Sequence, residues 1–85
     1  MIGLDKALEL VKLKNPGMKP IRCLELKDCY SFTMIPEGCV DMMFANSCSY
    51  LIDKETGKHR MAHFTEINKE VVKVLPEIEK RTTYF

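Results

Sequence analysis

Four cysteines, two histidines and twelve carboxylates are the side chains of this 85-residue chain best suited to chemistry, and their spacing limits what that chemistry can be. Cys23, Cys29, Cys39 and Cys48 are separated by five, nine and eight intervening residues. Zinc knuckles wrap backbone around the ion through C-x-x-C pairs, and no such pair occurs. A thiol- or metal-dependent site would have to be assembled in three dimensions, from Cys23, Cys29, Cys48 and His59. His59 and His63 are four apart, which on a helix places both imidazoles on one face. The segment reads as strand, where that spacing spans about 13 Å, too far to share an ion. Nucleophilic catalysis needs a Cys or Ser activated by a base, and neither a nucleophile elbow nor a glycine-rich phosphate loop is present. The expectation is a non-enzymatic protein with no catalytic, cofactor-binding or metal-binding residue and no cofactor.

The elements that must position these residues follow from periodicity. Leu4, Ala7, Leu8 and Val11 recur at helical spacing, with Asp5 and Glu9 early and Lys12 and Lys14 late, as the helix dipole favours. Asn15-Pro16-Gly17 ends this helix, because Pro lacks a donor and pushes Asn15 out of the α region. From Pro20 the period changes to two, with Leu24 and Leu26 sharing one parity and Tyr30, Phe32 and Met34 another. Lys27-Asp28 is the place for a reversal between them, the alternative being one long bent strand. On parity, Cys23 and Cys29 would face each other on the opposite side of the sheet from the leucines and aromatics. Pro36-Glu37-Gly38 closes the segment.

Cys39 to Ala45 is apolar enough for a strand yet lies between turn signals; as a loop it would expose Met42, Met43 and Phe44, side chains suited to a contact surface. Cys48 to Asp53 and Lys58 to Phe64 read as a hairpin around Lys54-Glu55-Thr56-Gly57, whose glycine supplies a positive φ. Thr65 is expected to cap a second helix carrying Ile67, Val71, Val74, Leu75 and Ile78 on one stripe. Pro76 should end or kink it near Leu75, with a restart at Pro76-Glu77-Ile78-Glu79. Glu66 with Lys69, Glu70 with Lys73, and Glu77 with Lys80 and Arg81 read as a solvated helix face. Thr82 to Phe85 lack a pattern, so Tyr84 and Phe85 are left to fray or to dock on a neighbour. The expected architecture is a single α+β domain over residues 1–85, a two-layer sandwich with an N-terminal helix, an antiparallel meander of three to five strands and a C-terminal helix.

Composition narrows function further. With 46% hydrophobic and 29% charged residues, the chain supports one core and not two. Net charge is +1, and its layout is uneven without being concentrated: six bases against four acids over 1–30, three acids and no base over 31–53, seven bases against five acids over 54–85. Phosphate neutralisation needs a denser positive face, so nucleic acid is not an expected partner. The sequence contains neither a run of about eighteen apolar residues nor a signal-peptide pattern, so no membrane association and a cytoplasmic location are expected. The cysteines then read as reduced thiols.

Residues Tyr50 to Lys58, with the N-terminal helix ending in Asn15-Pro16-Gly17, resemble two groups. One is the small PepSY-type domain, a helix followed by a meander entering a D-x-x-T-G turn. The other is a set of short phage, prophage and Gram-positive bacterial proteins with a similar helix, an aromatic strand like Tyr30-Ser31-Phe32 and a closing D-K-x-T-G hairpin. The resemblance covers about residues 4 to 64. The second helix departs from the PepSY pattern, and what the second group implies is a non-enzymatic accessory or structural role, phage- or prophage-related. The functional expectation is a protein-interaction module, binding a protein partner or itself as a homodimer, through Met42, Met43, Phe44, Tyr84 and Phe85. The alternatives are the Cys/His site above and an immunity-type inhibitor of a bacterial toxin.

Overall fold

Helix α1 spans Leu4–Lys14, opening at Gly3, whose carbonyl accepts the Ala7 N–H, and closing at Asn15. Ala7 and Val11 on its apolar stripe are fully buried, while Leu4, Leu8 and Leu10 pack around them. In this computed structural model, residues 1–38, 48–62 and 64–85 are described. The choice between strand and loop for Cys39–Ala45, with Met42, Met43, Phe44 and also His63, lies outside them.

Strands β1 (Met18–Glu25) and β2 (Cys29–Pro36) pair antiparallel across a two-residue reversal at Lys27-Asp28, the Leu26 N–H donating to the Cys29 carbonyl at 2.9 Å. They are two strands, not one bent strand. A bulge at Ile21 shifts the register between Pro20 and Arg22, and Pro20 sits next to that irregularity, where a missing N–H costs least. Strand β3 (Cys48–Asp53) pairs with β2, and β4 (His59–Met61) with β3. The strand expected over Lys58 to Phe64 is thus three residues long.

Helix α2 (Phe64–Val74) starts one residue before the expected Thr65 cap. It ends where Pro76 denies it a donor, passing through a 3₁₀ turn (Leu75–Glu77) into a short α3 (Ile78–Arg81). The tighter turn rotates Leu75 out of the expected stripe, leaving it half-exposed. Strand β5 (Thr82–Tyr84) then pairs antiparallel with β1, so the C-terminal segment, for which no pattern was legible, is an ordered strand. The meander left the outer edge of β1 open, and the β-prone Thr-Thr-Tyr fills part of it.

The result is the α+β class expected, with a five-stranded antiparallel sheet in the order β4-β3-β2-β1-β5. Because strand side chains alternate, the sheet has two apolar faces and each helix takes one. Ala7 and Val11 of α1 meet Cys23, Tyr30, Phe32, Met34, Tyr50 and Ile52. Val74 of α2, with Ile67 and Val71, meets Leu26, Leu51, Leu24 and Cys29. Central strand β2 is buried on both sides, including Ser31, Thr33 and Ile35. No helix of the described residues is long and apolar enough to cross a membrane.

The β3–β4 connection shows why the D-K-x-T-G residues are there. The Asp53 carboxylate accepts the Thr56 and Glu55 N–H groups at 2.9 and 2.8 Å, which holds its acid below the usual carboxylate range. Gly57 adopts φ +73°, and a Cβ there would lie 3.3 Å from the Leu10 side chain. Gly57→Ala should therefore lower unfolding stability by about 1–2 kcal/mol through left-handed strain, read from urea denaturation.

Candidate interaction surface

Building from the residues singled out by type, the structure separates more than it assembles. The two-residue turn pairs Glu25 with Tyr30 and Cys23 with Phe32, so Cys23 shares the α1 face with the aromatics. Cys29 falls on the α2 face with Leu24 and Leu26. The two cysteines therefore do not face each other, because the turn puts the odd positions of β1 opposite the even positions of β2. Both are free thiols. Burial is the main cause that pushes Cys23 up to about 12, with Glu25 adding to it. Burial and then Glu70 push Cys29 up to about 11 against the opposing Arg60. At neutral pH both are protonated, the weakly nucleophilic form of a thiol. His59 lies on β4 with Nε2 held by Asn15 at 2.9 Å, so the Cys23 thiol, the Cys29 thiol and the His59 imidazole occupy separate environments.

A shallow depression of about 310 Å³ does lie beside Cys29, ringed by Asp28, Asp53, Lys58, Arg60 and Glu70. Its charges are mixed and already engaged in part: Arg60 pairs with Glu66, and Glu70 with Lys73 at 3.3 Å. Glu66 is thus bound across to β4 rather than along its own helix to Lys69. Arg81 and Glu77 form the other helix-spaced pair, at 3.3 Å.

Tyr84 and Phe85, by contrast, come together with an open sheet edge. Phe85 donates its N–H to the Ile21 carbonyl at 3.1 Å, which directs its backbone toward β1. Strand alternation then directs the Tyr84 N–H and carbonyl away from β1. Among the described residues no strand pairs with that outer side of β5. The segment is fixed from behind: the Thr82 hydroxyl donates to the Ile78 carbonyl at 2.6 Å, and Arg81 reaches the Glu25 carbonyl at 3.3 Å. The two aromatic rings take different roles. Phe85 stacks on fully buried Phe32, centroids 6.4 Å apart, and remains half-exposed. Tyr84 is opposite Arg22 on the other face and is 75% exposed.

Beyond the end of β5, a depression of about 450 Å³ is walled by Phe85, Met18 and Pro20 and rimmed by Lys12, Lys19 and Glu37. An edge strand with neither lysine, proline nor bulge along it is a template for another strand, and sheet proteins ordinarily guard against that. The outer side of β5 thus lies between the exposed Tyr84 ring on one face and, on the other, the half-exposed Phe85 ring with its apolar-walled hollow.

Sequence reading named Tyr84 and Phe85 but missed the strand that displays them, because three residues are too few to show a period. It also missed Lys54, which is buried where a turn lysine is ordinarily solvated. Its ammonium lies 2.7 Å from Glu25 and 5.2 Å from the centre of the Tyr30 ring. Its backbone joins the Asp28 carbonyl and the Ile2 N–H, so three chain segments meet there. The chain matches no family model, no curated protein and no solved structure.

Proposed function

We propose that this protein is a non-enzymatic binding module that accepts an extended segment of a protein partner as a further strand beside β5. The observation that carries this reading is the outward backbone of Tyr84 on an unguarded edge, flanked by an exposed tyrosine and a half-exposed phenylalanine. Main-chain hydrogen bonds to such an edge supply affinity and neighbouring pockets supply choice of side chain. Here the hollow beside Phe85 suits an apolar residue, and Lys12 and Lys19 on its rim favour an acidic neighbour. The resemblance to short phage and prophage proteins supports an accessory role rather than a metabolic one.

The test uses peptides selected from a random extended library and ¹⁵N-labelled protein. Binders should shift the amides of Tyr84, Phe85 and Arg22. Tyr84→Pro, which removes the outward donor but leaves the β1-facing bonds, should weaken binding at least tenfold, while Tyr84→Ser, which removes only the ring, should weaken it less. Analytical ultracentrifugation reports whether a second copy takes the same edge. Binders that map to the Cys29 depression, or that ignore Tyr84→Pro in a variant with native amide dispersion, would sink the proposal.

A further inference from the structure

The opposite edge of the sheet carries a different device. Asn15, the residue that closes α1, is buried, and its side-chain nitrogen lies 2.8 Å from the Val11 carbonyl and 2.9 Å from His59 Nε2. A carbonyl only accepts, so the nitrogen of the Asn15 amide, not its oxygen, must point toward Val11. That orientation also aims an N–H at His59 Nε2. The ring nitrogen must therefore be an acceptor, and the imidazole neutral with its proton on Nδ1. Tyr50 of β3 stacks on the same ring, centroids 4.9 Å apart and nearly parallel.

We infer that the Asn15–His59 contact is a pH-sensitive latch that ties edge strand β4 to the end of α1 and releases it when the imidazole takes up a second proton. An imidazolium has no lone pair to offer, so protonation turns the hydrogen bond into a donor–donor clash. Asn15 cannot relieve this by flipping its amide, because that would set its oxygen against the Val11 carbonyl. The surroundings oppose protonation as well: burial chiefly, and the Lys14 ammonium of α1 secondarily, hold His59 below the ordinary histidine range. Lys58 and Arg60 flank it along the chain, and Tyr50 covers it from β3. The unfolded chain binds a proton at this histidine as pH drops below about 6.5, before the folded one does. The latch's contribution is therefore complete above that pH and is lost as pH falls through the folded-state value. β4 has only three residues, so it depends on this tie more than a longer strand would. Its release leaves β3 as the sheet edge on that side.

NMR on the intact chain tests this, with the two histidines assigned through His63→Gln. The expected result is an Nδ1–H tautomer for His59 at pH 7.5, a titration midpoint below 6.5, and movement of the Asn15 side-chain amide with that same midpoint. Amide exchange at Ala62, whose N–H donates to the Ser49 carbonyl of β3 at 3.0 Å, should, corrected for intrinsic rate, lose protection through that transition while Thr33 on β2 does not. His59→Phe keeps a ring on Tyr50 without a titratable nitrogen and should abolish the pH dependence at Ala62. An Nε2–H tautomer, a midpoint at or above 6.5, or unchanged pH dependence in His59→Phe overturns the inference.

Discussion

Phe32→Ala should cost about 3–5 kcal/mol of unfolding stability, measured by urea denaturation, and is the most damaging single truncation expected in this chain. Phe32 is fully buried on the central strand β2, between the paired strands β1 and β3 and beneath α1, and Phe85 stacks over it. Neighbours held by two ladders of backbone hydrogen bonds cannot collapse into the space the ring leaves, so the cavity term adds to the lost burial. A domain of this size has a total stability on the order of 4–13 kcal/mol, and such a loss would leave a substantial unfolded fraction. Phe85→Ala makes the informative comparison. It removes a half-exposed ring and one aromatic stack, for which about 0.5–1.5 kcal/mol is expected. If Phe85→Ala proved as costly as Phe32→Ala, Phe85 would be core rather than surface, and the edge proposed for binding would lose one of its anchors.

Lys54→Ala should cost about 1–3 kcal/mol, more than expected for a lysine beside a hairpin turn. Three contributions are lost together: the ion pair with Glu25, the position over the Tyr30 ring, and the packing of a buried aliphatic stem. Glu25 is nearly half exposed, so its carboxylate stays solvated when the partner goes, and the upper end of a buried-charge penalty does not apply. Lys54→Met keeps the stem while removing the charge and should recover most of the loss. Thermal unfolding of the two variants side by side distinguishes the contributions: equal destabilisation would mean that charge, not packing, holds the N-terminal segment, the β1–β2 turn and the β3–β4 turn together.

Much of the architecture was legible because it depends on local periodicity and on residues with restricted backbones. The helix over Leu4–Lys14 and its end at Asn15-Pro16-Gly17 follow from apolar spacing and from proline chemistry. Tyr30, Phe32 and Met34 do share a face, and Pro76 does interrupt the C-terminal helix. The cysteines show where this reasoning stops. Parity within one strand says which residues go together, but not which face of β1 matches which face of β2. That depends on the register set by a turn, and a turn lacking glycine gave no register to read. The edge strand and the buried lysine were hidden for a related reason, since both owe their state to partners far away in the chain.

The amino-acid order by itself determined the class of the protein: which segments coil, which extend, where they stop, and that each has an apolar side to bury. These are properties of a few neighbouring residues, set by side-chain period and backbone restriction. Only the tertiary structure decided that α1 and α2 cover opposite faces, that Cys23 and Cys29 are parted by the sheet, that Asn15 reaches His59, and that Tyr84 stands on an edge which, among the described residues, no strand covers. Each of those joins residues distant in sequence, and such pairings arise from strand register and long-range packing, which no local pattern encodes.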